Sequence, residues 1–219
     1  MEKIILSWSG GKDSTLALYE LMHQGDYEIT LLTTITDEYG RISMHGVREA
    51  LLEQQAQALG CPLEKVYITP QSSNYEYETR MEEVMNRYKQ QGVARVAFGD
   101  LFLQDIRQYR ESNLSKLGME AIFPLWGRDT RELADAFVAL GFKAILTCVD
   151  ARVMDGDFAG RYFDQELLSD FPENIDPCGE NGEFHSFVFA GPIFKKTVDF
   201  SVGERVLRDE RFSYCDLRE

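Results

Sequence analysis

The segment Ser9-Gly10-Gly11-Lys12-Asp13-Ser14 brings two adjacent glycines, two hydroxyls, an ammonium and a carboxylate together in one short stretch. These residue types suit anion binding. Paired glycines let backbone N–H groups come close to a ligand, Ser9 and Ser14 add donors, and Lys12 adds positive charge. The segment lies between a short β-type run, Ile4 to Ser7, and a helical stretch, Ser14 to His23, so a helix N-terminus would add its dipole. Together they make a cradle for pyrophosphate. A Walker A loop would need glycine at position 6 and Ser or Thr at 13, where the chain has Leu6 and Asp13, and no GxGxxG pattern is present. The plainer reading is a glycine-rich strand-to-helix turn with an exposed lysine; position, hydroxyls and lysine together favour the cradle.

A second cluster, Glu180-Asn181-Gly182-Glu183-Phe184-His185, offers carboxylates, an amide and an imidazole. Such groups can bind a carboxylate substrate, hold ammonia or take its proton. On a strand Glu183 and His185 would share a face and Phe184 the other; as an alternative, the stretch is a polar turn leading into a buried strand. Gly99-Asp100 follows the fourth strand, where Asp100 suits a metal or ribose contact, or equally the cap of the next helix. His45, in Ser43-Met44-His45-Gly46, follows the second strand and receives no firm role. The stripe Tyr75, Tyr77, Met81, Val84, Met85 and Tyr88 has helical spacing and reads as core or as contact with a second copy of the chain, not as a cofactor box.

The elements that must position these groups alternate. Strands are expected at Ile4 to Ser7, Ile29 to Ile35, Val66 to Thr69, Arg95 to Phe98 and Ala121 to Leu125. Helices are expected at Ser14 to His23, Val47 to Leu59, Tyr75 to Gln91 and Leu103 to Leu117, with Gly60, Gly92 and Gly118 as stops. This pattern implies βαβ crossovers and a Rossmann-like α/β fold, a parallel sheet with helices on both faces and ligands beyond the carboxyl ends of its strands. The rhythm continues once more, through helix Arg131 to Leu140 and strand Ala144 to Val149, before residues 150 to 185 turn loop-rich. Phe187 to Ala190 and Thr197 to Arg205 read as strands of a smaller C-terminal α+β unit. The division expected is 1–127 for nucleotide binding and 128–219 for the substrate side, packed without a flexible linker.

The whole chain narrows the partners. Its 219 residues are 44% hydrophobic and 12% aromatic, enough for a packed core. A formal charge of -14 repels polyanions, so nucleic acid is disfavoured, and Arg107, Arg110 and Lys116 on one helix read as a solvated face. Cys61, Cys148, Cys178 and Cys215 form no CxxC pair, and His23, His45 and His185 form no HExxH. No stretch is apolar for the ~20 residues a membrane span needs, and a soluble, cytoplasmic protein is expected.

SGGKDS after an N-terminal strand resembles the PP-loop ATP pyrophosphatases, whose fold is adenine nucleotide alpha hydrolase-like. Phe98-Gly99-Asp100, Leu125-Trp126, the run Asp176 to Phe187 and Gly191-Pro192 resemble the diphthine ammonia ligase family, over nearly the whole chain. The resemblance implies ATP and Mg2+ as cofactors and a carboxylate substrate: diphthine, a modified histidine on translation elongation factor two. An acyl adenylate and pyrophosphate would form first, then an amide with ammonia. It implies that Ser9, Gly10, Gly11, Lys12 and Ser14 hold the β and γ phosphates while Asp13 orients the loop or helps bind magnesium, whose ligands no motif marks. Gly99 and Asp100 would stand beside the nucleotide. Glu180, Asn181, Gly182 and Glu183 would form the substrate wall, with Lys12, Asp13, Glu183 and His185 in catalytic roles. A homodimer is compatible with this reading. The competing readings are a tRNA-modifying PP-loop enzyme and a non-catalytic nucleotide sensor.

Overall fold

The computed structural model describes residues 1–42, 45–69 and 73–219, so Ser43 and Met44 of the His45 loop lie outside the described residues. In chain order the first half runs β1 (Glu2–Ser7), α1 (Lys12–Gln24), β2 (Tyr27–Thr36), β3 (Arg41–Ile42), α2 (Glu49–Leu59), β4 (Leu63–Ile68), α3 (Asn74–Gln90), β5 (Arg95–Ala97), α4 (Gln104–Lys116) and β6 (Glu120–Ile122). The second half runs α5 (Thr130–Ala139), β7 (Lys143–Asp150), α6 (Gln165–Asp170), β8 (Phe184–Ala190), β9 (Ser201–Arg208) and β10 (Phe212–Arg218).

Strands β4, β2, β1, β5 and β6 pair in that order, each pair parallel. Alternate side chains of a strand point to opposite faces. Ile4, Leu6 and Leu31 therefore join α1 and α2 on one side, while Ile5, Leu32 and Val96 meet Met85 of α3 and Leu114 of α4 on the other. Between β1 and β5 the connections diverge, β1 leading away toward β2 and β5 toward β6. That is the topological switch point, beyond which open α/β sheets bind their ligands. The short β3 pairs antiparallel with the end of β2, Ile35 opposite Ile42. Because β4 already occupies the other edge of β2, β3 lies beyond the end of β1 and carries the His45 loop over the switch point.

Strands β8, β7, β10 and β9 form a separate antiparallel sheet. The expected strand at Ala144 to Val149 exists as β7, but it joins this sheet and not the parallel one. It is buried along nearly its whole length, and a continuous apolar run does not reveal the direction of its neighbours. The second sheet packs on the α1 and α2 side, so that Ala144, Ile145, Phe187 and Val188 share one core with Ile4, Leu18 and Leu52.

Candidate active site

The phosphate loop is held from below and above. Gly10 has φ 75, a conformation that costs another residue roughly 1–2 kcal/mol, and a Cβ there would stand 2.9 Å from Gln55 Oε1 and Leu52 Cδ2. Gln55, fully buried on α2, accepts from Trp8 Nε1 (2.9 Å) and donates to the carbonyls of Gly10 (2.9 Å) and Val188 (2.6 Å). The Val188 amide in turn donates to Gly10 O at 2.9 Å. The start of the second sheet is thus bonded directly to the turn after β1.

An α-helix leaves its first N–H groups without intrahelical partners, and in α1 the first helical bond runs from Thr15 N to Gly11 O. Gly11 N donates to Ser9 Oγ (3.3 Å) and Lys12 N to Ser186 Oγ (3.2 Å). The amides of Asp13 and Ser14 follow at the helix mouth. Ser14 Oγ donates to Gly11 O and lies 3.2 Å from Ser9 Oγ. The Lys12 side chain, 2% exposed, does not reach outward as an exposed loop lysine would. Its Nζ pairs with both Asp13 oxygens at 2.9 and 2.8 Å, donates to the Cys178 carbonyl, and lies 5.3 Å from the centre of the Phe184 ring. Burial works against its charge, but Asp13 keeps its pKa above the ordinary lysine value.

Gly99 approaches from β5. A Cβ on it would sit 2.9–3.0 Å from the backbone of Asp13 and Ser14, so only glycine lets this loop close on the helix mouth. Asp100 behind it does not cap α4; its Oδ1 accepts from Arg110 Nη2 at 3.1 Å, and its Oδ2 stands 2.7 Å from Arg110 Nε as an ion pair without hydrogen-bond alignment. Arg107 of the supposed solvated face bonds Glu111 and stacks over Trp126.

Ser9, Gly11, Lys12, Asp13, Ser14, Gly99, Asp100 and Arg110 line a cleft of about 670 Å³ whose wall also includes Thr33, Thr34, Thr36, His45, Tyr77, Glu180, Gly182, Phe184, His185 and Ser186. Glu180 Oε1 accepts from Leu101 N at 2.7 Å, tying the loop of the second half to the loop after β5. Burial, and after it the charges of Asp13 and Asp100, push Glu180 up to about 7. The charges of Asp13 and Asp100 thus act on Glu180, although among the described residues the three carboxyl groups do not form a ready cation site. His45 and His185 stack with ring centroids 4.3 Å apart. Burial first and the Lys12 charge second push His185 down to about 4, and burial together with His185 holds His45 well below its usual range. Both are neutral at pH 7.

Glu183 is not on the strand with His185; the stretch is the alternative reading, a polar turn leading into a buried strand, and neither Asn181 nor Glu183 lines the cleft. β8 begins only at Phe184, and the preceding turn folds Glu183 inward, where its Oε1 accepts from Asn181 Nδ2 (2.9 Å) and Asp176 N (3.2 Å). Phe184 and His185, which the strand pattern puts on opposite faces, both border the cleft. Gln55 and Thr33 escaped notice in the sequence. The only signal for Gln55 was an amide among Leu51, Leu52, Ala56 and Leu59 on the buried face of α2. Among the described residues no group of three or more His, Cys, Asp or Glu side chains is placed to hold a metal ion, and no helix is long and apolar enough to cross a membrane.

Residues 1–121 match the profile of the diphthamide synthase N-terminal domain, and residues 129–219 that of the diphthamide synthase C-terminal domain. The chain belongs to the diphthamide synthase family. Among relatives, a diphthine–ammonia ligase of Danio rerio is 26% identical over 224 residues, covering 92% of this chain and 88% of that protein. The human diphthine–ammonia ligase is 25% identical over 225 residues, 91% of this chain and 83% of that one. The Schizosaccharomyces pombe diphthine–ammonia ligase is 26% identical over 216 residues; the match takes in 90% of this chain but only 36% of that protein. A solved structure described as a predicted subunit of tRNA methyltransferase from Methanocaldococcus jannaschii aligns with a TM-score of 0.47 at 18% identity, covering 90% of this chain and 100% of that one. In this diphthamide synthase family member the phosphate loop belongs to the first profile, and the Glu180 loop, His185 and Ser186 to the second.

Proposed function

We propose that this protein is an ATP-dependent amide-forming ligase that cleaves ATP between its α and β phosphates, forms an acyl adenylate on a carboxylate substrate, and transfers the acyl group to ammonia. Residues 1–127 bind the nucleotide and 128–219 supply the substrate side. The observation that carries this reading is a helix mouth at the switch point, closed in by Gly99 and roofed by Ser186. The amides of Asp13 and Ser14, with the Ser9 and Ser14 hydroxyls, grip the β and γ phosphates. The Lys12 charge sits directly behind them. Fixed donors of this kind stabilise charge as it develops on the leaving group, an effect worth about 10²–10³ in rate for a single donor.

Asp13 and Asp100 line the cleft beside the helix mouth and would be the residues to hold Mg2+, which is commonly bound by one or two carboxylates together with phosphate oxygens. When bound, it neutralises charge on the phosphates. In the second half-reaction ammonia adds to the acyl carbon and its nitrogen must shed a proton. His185 beside the loop is neutral and can accept it, though only as a weak base, since burial and Lys12 hold it at about 4. The named relatives are diphthine–ammonia ligases, so diphthine belongs in the panel of acids to test, beside small carboxylic acids.

The experiment is to incubate the protein with ATP, Mg2+, ammonium and a panel of carboxylates, and to follow AMP and pyrophosphate against ADP and phosphate. AMP with pyrophosphate is expected, and Lys12→Ala should reduce it by at least about 10²-fold. Unchanged turnover in that variant would remove Lys12 from the mechanism, and nucleotide binding with no AMP from any carboxylate would favour a sensor.

A further inference from the structure

Five residues of the cleft wall, Ser7, Leu32, Tyr77, Phe98 and Arg110, also line a second space of about 200 Å³. It lies on the other face of the parallel sheet, under α3 and α4. Its floor is hydrocarbon: Ile5, Leu32 and Val96 from the strands, with Met81, Met85 and Leu114 from the helices. On the outer side Tyr109 of α4 donates to Glu78 of α3 at 2.8 Å, bridging the two helices. The helical stripe read from the sequence as core is therefore core only in part, because Tyr77, Met81 and Met85 border this recess. One cation stands where the two spaces meet. Arg110 donates to Asp100 through Nη2, stands in ion-pair contact with it through Nε, and rests 4.3 Å over the Phe98 ring, and a guanidinium has donors beyond Nη2's one bond.

From this arrangement we infer that the recess is the acyl pocket: it takes the hydrocarbon part of the substrate acid, while Arg110 at its mouth binds the carboxylate and presents it to the α phosphate. The direction of attack supports the assignment. The phosphate loop leads into α1, which covers one face of the sheet, whereas the recess lies on the opposite face. With pyrophosphate held at the mouth of α1, a carboxylate coming from the recess would approach from the other face of the sheet, the arrangement an in-line displacement needs. One carboxylate oxygen forms the new P–O bond, the bond from α phosphorus to the bridging oxygen breaks, and its electron pair leaves with pyrophosphate. A space of this size, smaller than a drug-sized site, and with this lining selects a carboxylic acid with a short, compact apolar group.

The inference rests on the acyl-adenylate reading, and the test separates the two. Binding of the straight-chain acids acetate, propionate, butyrate, pentanoate and hexanoate to the full chain is measured by calorimetry with a non-hydrolysable ATP analogue present. Affinity should rise about fourfold per methylene, the factor for burying one such group in an apolar site. Met81→Phe, or Leu117→Phe should the first variant melt early, is expected to erase that gradient while nucleotide affinity stays within twofold. Arg110→Gln should weaken all five acids alike by about tenfold or more. A flat series overturns the inference. So does a Met81→Phe variant that loses nucleotide but not acid, since the recess would then hold the adenine. A wild-type protein that shows the gradient yet makes no AMP would leave the recess standing and refute the ligase reading instead.

Discussion

Glu180 is a carboxyl group held where its charge is unwelcome. Its ordinary pKa of 4.5 rises to about 7 in the folded chain, through burial and through Asp13 and Asp100. A raised carboxyl pKa means that the folded state keeps its proton longer than the unfolded one. Stability from this group is complete below pH 4.5, declines as pH rises toward 7, and is lost above that. Glutamine keeps an oxygen for the Leu101 amide and has no charge to lose. Glu180→Gln should therefore raise the melting temperature relative to the parent more at pH 8 than at pH 4, and an equal difference at both would show that Glu180 does not titrate as described. Bound Mg2+ would draw the carboxyl toward ionisation and flatten the contrast. Lys12 shows a different balance: in a site this dry its ammonium stays charged because Asp13 lies 2.8 Å away.

At the level of elements, the turn between β9 and β10 is made by Asp209 and Glu210, with φ 53 and 51. A left-handed turn of this kind favours glycine, most of all at its second position. Glu210 is exposed, and Glu210→Gly should stabilise the protein by about 0.5–1 kcal/mol in denaturant melts, since the left-handed penalty of roughly 1–2 kcal/mol exceeds the roughly 0.5–1 kcal/mol of entropy that glycine adds. No change would mean the turn relaxes in solution. The same turn explains why β10 was not legible in the sequence, for hairpin signals rest on Asn-Gly or Asp-Gly and none is present. The helices closed by Gly60, Gly118 and Gly141 were legible because each glycine has positive φ just past its helix. The phosphate loop could be read because its chemistry lies in consecutive residues. The recess could not: Ile5, Met85, Val96 and Leu114 come from separate elements, and only the crossover topology brings them together. The face shared by Glu183 and His185 does not exist because alternation describes a strand and the strand starts one residue later, so that the alternative of a polar turn before a buried strand is the one observed.

For the whole molecule, the charge of -14 sets the field through which a nucleotide must travel. Mg-ATP is itself anionic, so association should speed up as salt rises from about 0.01 to 0.15 M, where the screening length falls from about 30 to 8 Å. Stopped-flow binding at several ionic strengths would show this. A rate that falls with salt would reveal a local positive channel, and salt-sensitive tRNA binding would revive the tRNA reading.

The contact between β8 and the turn after β1 has an evolutionary side. The hydroxyl of Ser186 and the amide of Val188 hold the loop on which the triphosphate would rest. A chimera that kept the first 127 residues and borrowed its remainder from a cousin with other tastes would inherit its grip on nucleotide from the donor. If the recess holds the acid, selection for new acids is free to rework the walls beneath α3 and α4, while Ser186 and Val188 of β8 are constrained by the loop they hold.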